Sequence, residues 1–445
     1  MRSIPLLMSI AAFVSGGTGQ VRETPLATAT GMTFTADSLP EEARKLYQGQ
    51  QAVISSERIR LLSDLIREML AELEAAAQKS TAEAILAAES QKAAAPTEAQ
   101  IKSTYDANRA AFEGRTLDQV RFQIVAYLKS NSEENAIKDL TERLKKSHGF
   151  AVGKSINAAD LKPSDVIFTA GGKSVTAAQF DARFAAHIYD LRAEIIDHVR
   201  VDLENAVFLS LIQAEAKSRN KAASDVIAAE ITDKLKDFTD EERARIENAF
   251  RSSLFAKYAV RILLADPEPV AHKVSADDDP AWGSPSAPVT MIMFSDFQCS
   301  ACAGTHPILK KLINEYGAKL HFVVRDFPLE SIHENAFRAA LAANAARQQG
   351  KYFEYIDILY RNQDDLDAAS LKRYAEELGL NVKQFELDLS DEKAAAEVRK
   401  DMADAVKHGA RGTPTIFING VKVVRLSPDG FRAAIDRALK LSAGK

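Results

Sequence analysis

Apolar residues recur along this chain with two different periods, and the change of period divides it. Ile54, Leu61, Leu62, Leu65, Ile66, Met69, Leu70 and Leu73 follow the three-and-four spacing that lines one face of a helix. Patterns of this kind dominate up to Ala265. Val289 to Phe294, reading VTMIMF, is instead a continuous apolar run and predicts a strand buried on both faces of a sheet. Helical spacing returns at Ile308, Leu309, Leu312 and Ile313, with Gly317 as the stop. Leu320 to Arg325 predicts a second strand, completing a βαβ unit, and a helical stretch follows from Glu334 to about His408. In GTPTIFINGVKVV, residues 412–424, Asn419-Gly420 between two apolar runs predicts a hairpin. Ser427 as N-cap and Pro428 at the first helical position open a closing helix that runs to Leu441.

The helical part contains a repeat. Placing Thr35 on Thr176, an offset of 141 (176 − 35), aligns residues 35–90 with 176–231 without a gap. Leu39 falls on Phe180, Ile54 on Ile195, Leu62 on Leu203, Ile66 on Val207 and Leu70 on Leu211. Ala87-Ala88-Glu89 falls on Ala228-Ala229-Glu230. Duplication is the economical explanation, with modules expected over 30–148 and 165–265. Each opens on a short extended run, Met32 to Thr35 or Val166 to Thr169, and Gly171-Gly172-Lys173 makes a tight turn in the second. Five of the fourteen prolines lie between Pro267 and Pro288, together with Asp277-Asp278-Asp279 and Gly283. Residues 266–286 are therefore expected to be an interdomain linker and a semi-stiff spacer, with Trp282 pinning its end onto the following domain.

The chemistry sits at one turn. Cys299 and Cys302 are the only cysteines of the 445 residues, and the βαβ pattern places Cys299 at a helix N-terminus. Unpaired backbone amides and the positive end of the helix dipole favour a thiolate there. A second thiol three positions on can resolve a mixed disulfide within the chain. Zinc would need two more ligands; no further cysteine exists, and the eight histidines offer no pair at ligand spacing. No metal or cofactor is expected. Asp296 is the nearest acid and either tunes Cys299 or caps the turn. His306 reads as a helix-surface imidazole, and Arg325 with Asp326 as a structural ion pair.

On these motifs, residues 287–441 resemble a thioredoxin-fold oxidoreductase of the DsbA-like branch. The resemblance is carried by Cys299-Ser300-Ala301-Cys302, Pro307, the helical insertion at about 334–408, and Thr413-Pro414 before the hairpin. It implies that Pro414 is a cis-proline facing the disulfide and that the Thr413 backbone pairs with an extended substrate segment. Ser300-Ala301 stands where the family's strong oxidants carry a histidine, so a milder oxidant is implied; Met293 stands where the periplasmic oxidase has a buried glutamate, which removes the side chain of a proton relay at that point. A threonine before the cis-proline is also what the superfamily's isomerases show, and the direction of reaction stays open. The helical modules resemble the chaperone domain of SurA-type periplasmic proteins, most visibly over residues 96–128, without the catalytic parvulin module. That likeness leaves client binding and self-association both open.

The expected fold class is thus a multidomain chain of mainly α-helical modules followed by an α/β thioredoxin fold with a helical insertion. A net charge of −5 and a pI near 6.0 provide no basic footprint for nucleic acid or an anionic membrane. Arg2, the apolar stretch Ile4 to Val14 and the small residues that follow predict a signal peptide over 1–20, export to the periplasm and no span in the mature chain. The expected partners are proteins with thiols or disulfides and a redox protein that recycles the site. A chaperone or scaffold with a subsidiary thioredoxin domain is the alternative.

Overall fold

The computed structural model of the protein describes residues 24–112 and 114–443; the expected signal peptide lies outside the described residues. The helical part comprises, in chain order, β1 (Ala27–Ala29), β2 (Met32–Phe34), α1 (Glu41–Gln78), α2 (Ala82–Ser90), α3 (Glu98–Ala107), α4 (Leu117–Ser147), β3 (Ala151–Val152), β4 (Val166–Ala170), β5 (Lys173–Thr176), α5 (Ala177–Ser218), α6 (Ala223–Glu230), α7 (Asp240–Lys257) and β6 (Arg261–Ile262). Thr81, Thr97 and Thr239 cap α2, α3 and α7, each accepting a backbone N–H of the first turn.

Compact packing does not follow the two sequence copies. One unit combines the described residues up to Gln48 with His198–Ala265; the other combines Gly49–Asp197 with the chain from Asp266 onward. The repeat offset superposes β1 and β2 on β4 and β5, and the third strand of each hairpin comes from elsewhere in the chain: the end of the second copy for the first hairpin, and residues 151–152, just past the first copy, for the second. In the first unit β6 joins β1, with Ala27 opposite Ile262; in the second, β3 joins β4, with Val152 opposite Phe168. The contiguous modules expected over 30–148 and 165–265 are therefore exchanged halves. The physical reason is helix length: α1 and α5 have 38 and 42 residues, about 57 and 63 Å at 1.5 Å per residue, too long for their far ends to return to their own hairpins.

Within the first unit, Glu215 of α5 is 2% exposed and accepts from Lys257 (2.5 Å), Arg219 (2.7 Å) and Tyr258 (3.0 Å). The lysine bond first, with the other two donors, holds its carboxyl down at about 2. Within the second unit, Leu61 and Leu65 of α1 pack with Ile167 and Phe168 of β4 and Phe180 and Phe184 of α5.

The rest of the second unit is built from β7 (Ala281–Trp282), β8 (Val289–Ser295), α8 (Ser300–Tyr316), β9 (Leu320–Asp326), α9 (Ala336–Gln348), α10 (Tyr352–Arg361), α11 (Ala368–Glu377), α12 (Val382–Asp388), α13 (Glu392–Lys407), β10 (Thr415–Ile418), β11 (Val421–Lys422) and α14 (Pro428–Ala443). Its sheet has the order β11-β10-β8-β9-β7, with β8 and β9 parallel. Alternation explains the unbroken apolar run of β8. Met291 and Met293 face the core that contains α8 and the insertion, whereas Ile292 and Phe294 face the opposite side with Phe417 and Ala405. The hairpin forms where expected: Asn419 and Gly420 both have positive φ, 46° and 81°. A Cβ at Gly420 would lie 2.4 Å from the His272 carbonyl.

That contact reflects a correction. Residues 266–286 are not a free spacer but are laid onto the domain. His272 N–H donates to Gly420 O (2.8 Å), Val324 N–H donates to Pro280 O (3.0 Å), and Val274 and Ala276 pack on the core. The His272 ring stacks edge-on against His187 of α5 and His408 after α13 and bonds Asp190 at 2.8 Å. Residues 281–282 form the edge strand, where Trp282 remains half-exposed against Phe353.

Candidate active site

Cys299 is the N-cap residue of α8, and its carbonyl accepts the N–H groups of Cys302 and Ala303 at 3.1 Å. Across from it the Thr413–Pro414 peptide is cis, and Cys299 Sγ lies 3.3 Å from Thr413 O, a contact in which the sulfur donates only in its protonated form. The four residues singled out from sequence, Cys299, Cys302, Thr413 and Pro414, thus meet at the helix N-terminus.

The two sulfurs differ in environment. Cys299 is partly exposed, Cys302 fully buried. A hydrogen bond from the Cys302 thiol, aided by Thr413 and the backbone N–H groups of Cys302 and Ala301, outweighs burial and brings Cys299 down to about 5. Burial, then the neighbouring Cys299 sulfur, pushes Cys302 well up. The arrangement provides one exposed sulfur that is ionised at neutral pH and one protonated sulfur behind it.

Asp296 caps and organises the turn. Its buried carboxylate accepts from Gln298 N–H (2.7 Å), Leu329 N–H (2.8 Å) and His333 Nδ1 (2.8 Å), while its carbonyl accepts Cys299 N–H (3.2 Å). The bond to Asp296 raises the His333 pKa, with a further contribution from the Cys299 charge. A histidine charge therefore does bear on the nucleophile, held by Asp296 and delivered by the loop after β9 rather than from between the cysteines. Gln363, after α10, donates to the carbonyls of Phe297 and Cys299, both at 2.9 Å. Sequence reasoning passed over both residues: Gln363 lies inside the expected insertion and His333 just ahead of it, each far along the chain from Cys299.

Two side chains read from sequence as bystanders take different roles. His306 is not on the helix surface: it is 6% exposed and stacks on Tyr360 with ring centroids 4.7 Å apart. Arg325 does not pair with Asp326. Its buried guanidinium reaches Asp401 (2.5 Å), Asp404 (2.5 Å) and Asp279 (3.0 Å), whereas Asp326 accepts from Asn344 and is held up at about 7, first by burial. The only clustered ligand set among the described residues, Asp277, Asp278 and Glu397, is remote in sequence from the cysteines.

Comparison with known proteins agrees with this geometry. Residues 275–437 match the family model described as Thioredoxin. Among curated proteins, the chain is similar to the Na(+)/H(+) antiporter NhaA 3 of Salinispora tropica, 38% identical over 147 residues that cover 33% of this chain and 22% of that protein. It is also similar to Na(+)/H(+) antiporter NhaA 1 of Mycolicibacterium gilvum, 35% identical over 172 residues that cover 37% and 28%. The chain spans less than a third of the length of these relatives. Among solved structures it is similar to a thioredoxin-like oxidoreductase from Silicibacter pomeroyi (28% identity, 37% of this chain and 94% of that chain, TM-score 0.33). It is likewise similar to oxidised BdbD from Bacillus subtilis (21%, 39% and 100%, TM-score 0.36). Residues 275–437, with helices α9 to α13 inserted between β9 and β10, match the thioredoxin model and have the thioredoxin fold.

Proposed function

We propose that the protein is an exported thiol-disulfide oxidoreductase that acts on other proteins through Cys299 and Cys302, working chiefly as a disulfide donor. One observation carries this reading: Cys299, partly exposed, caps α8 across from the cis Thr413–Pro414 peptide with Cys302 buried behind it, an environment that pulls the Cys299 pKa down and pushes that of Cys302 up. A depressed nucleophile pKa stabilises the reduced form, which makes the disulfide the stronger oxidant. In the forward cycle a substrate thiolate attacks the Cys299 sulfur of the disulfide, Cys302 leaves, and a second substrate thiolate displaces Cys299 from the mixed disulfide. Two electrons pass from the substrate to the cysteine pair, and a redox partner protein reoxidises it. The substrate strand lies along Thr413 and Pro414, a form of strand addition. Export is supported by the apolar N-terminal stretch and by the absence of any helix long and apolar enough to span a membrane among the described residues.

The helical modules, SurA-like by resemblance, hold unfolded clients beside the site or pair subunits. An open cleft of about 480 Å³ lined by Arg58, Phe184, Ile188, Tyr189 and Arg192 supports the first role. Activity is tested by following turnover of a dithiol peptide with Cys299→Ser and Cys302→Ser. The first should abolish turnover and the second accumulate a covalent adduct; full activity in both would refute the assignment. A reduction potential near that of thioredoxin, about −270 mV, would instead make the protein a reductase or isomerase.

A further inference from the structure

The segment that presents Thr413 is short and irregular. α13 ends at Lys407 and β10 begins at Thr415, and between them the backbone must turn, reach the cis Thr413–Pro414 peptide and set the Thr413 carbonyl opposite Cys299. The thioredoxin domain holds this segment in two places. Ala410 is buried with Phe294 and Phe417, and Thr415 Oγ1 donates to Gly412 O at 2.8 Å. Arg411, between them, reaches out of the domain.

Helices α1 and α5 of the same unit supply the remaining hold. Arg411 Nη2 donates to Glu57 Oε1 of α1 at 2.5 Å, across 354 positions of sequence. Glu57 is a fixed carboxylate: its side chain is 10% exposed, and Arg60 grips it through Nε at 2.9 Å and Nη2 at 2.6 Å. Burial raises its pKa, yet the bond to Arg60 and then the charge of Arg411 outweigh burial and leave the carboxyl below its ordinary value. At the start of the segment, His187 Nε2–H of α5 donates to Lys407 O at 3.1 Å, taking up one of the carbonyls that a helix C-terminus leaves free. Gly409 follows at φ 81°, and its missing side chain admits that ring, since a Cβ there would lie 3.0 Å from His187 Cδ2. The His187 ring is fixed in turn by Phe184, edge-on at 5.6 Å, and by His272 at 5.0 Å.

We infer that Glu57 and His187 are positioning residues of the redox site: α1 and α5 hold residues 407–411 and through them set the backbone along which the substrate strand pairs. This deepens, and rests on, the oxidoreductase reading above. The helical part then acts on the chemistry besides holding clients, and the two roles adjoin. Arg58 and Phe184 line the cleft of about 480 Å³; Arg58 follows Glu57 in sequence, and Phe184 touches the His187 ring. Pairing of an extended segment with Thr413 needs that backbone fixed in place. A small thiol reagent meets Cys299 without it. Loosening the segment should therefore weaken the use of peptide substrates and spare small reagents.

The test sets turnover of an extended dithiol peptide, with oxidised glutathione as the recycling oxidant, beside iodoacetamide alkylation of Cys299. Both are measured in the full chain and in Glu57→Ala, Arg411→Ala, the double variant, His187→Phe and His187→Gln. Glu57→Ala should raise KM for the peptide by about tenfold with kcat little changed, while alkylation at pH 8 stays within about twofold of wild type. Arg411→Ala and the double variant should show that same rise and not its square, because one contact is lost in all three. His187→Phe keeps a ring in the stack but loses the donor, and should raise KM by about threefold; His187→Gln, which keeps an N–H donor, should recover most of this. A wild-type KM in Glu57→Ala, or in His187→Phe should the first variant not fold, would overturn the positioning role alone. A loss of alkylation equal to the loss of peptide turnover would do the same. Absence of peptide turnover in a wild-type chain whose Cys299 alkylates normally would overturn the oxidoreductase reading instead.

Discussion

Replacing Cys302 by alanine removes the first and largest cause that holds Cys299 down at about 5. A hydrogen bond to a charged acceptor contributes about 1.5–3 kcal/mol, which at about 1.4 kcal/mol per unit would return the Cys299 midpoint by about one to two units. Cys299 is partly solvated, so the lower end of that range applies. At pH 6 the thiolate fraction should fall from about nine-tenths to about a half. The rate of reaction with an alkylating agent behaves less simply. Relative to an ordinary thiol at 9.0, a sulfur four units lower gains about 100-fold in thiolate fraction at pH 7 but loses about 60-fold in intrinsic nucleophilicity, taking a Brønsted slope of about 0.45. The two nearly cancel at pH 7, whereas at pH 6 the low-pKa sulfur should lead by about 15-fold. The environment of Cys299 therefore produces not a faster nucleophile but one whose rate is level from pH 6 to 9. Thiolate absorbance near 240 nm and iodoacetamide alkylation, each titrated from pH 4 to 10, measure this directly. A wild-type midpoint near 9, or one that Cys302→Ala leaves in place, would refute the argument that the buried thiol sets the charge of the exposed one.

Three further outcomes are expected. His333→Gln keeps a donor for Asp296 but removes the charge; because that charge is present below the raised His333 pKa and lost above it, Cys299 alkylation in the variant should fall below wild type in acid and converge with it as pH rises. Arg325→Leu should cost about 3–5 kcal/mol in urea unfolding near neutral pH, since it strands the carboxylates of Asp401 and Asp404 without their buried partner, with a smaller loss at pH 5, where the carboxyls can take up protons. Asp279 is held protonated to about 8, first by burial and then by Asp401. Its stabilising contribution is complete below the usual carboxylate range near pH 4 and is lost as pH rises through 8, so Asp279→Asn should match wild type in urea melts at pH 4 and exceed it at pH 8.

How much of this was legible depended on distance along the chain. β8, α8, β9, the Asn419-Gly420 hairpin and the closing helix capped by Ser427, whose Oγ accepts Gly430 N–H at 3.2 Å, are specified by neighbours a few residues apart, and periodicity finds such elements. The cysteine pair was legible because a redox cycle needs nothing between its two sulfurs. His333, Tyr360 and Gln363 were not, since apolar periodicity in the insertion specifies which faces of its helices are buried but not which polar residues at their ends reach the site. His306 was misjudged for a related reason: its burial depends on Asp357 and Tyr360, over fifty positions away. The exchange of halves between the repeats was invisible in principle, because an offset of 141 is the same whichever copy completes a given hairpin.

That exchange has a consequence for how the protein is made. The opening hairpin is finished only by Ile262, so a nascent chain must hold residues 24–48 unsatisfied while some two hundred more emerge from the ribosome. Such distant pairings delay folding and leave apolar surface uncovered in the interval. A fragment ending at the first copy would present an orphaned hairpin, and limited proteolysis of nested truncations should reveal protection of Phe34 and Leu39 only once the chain extends past β6.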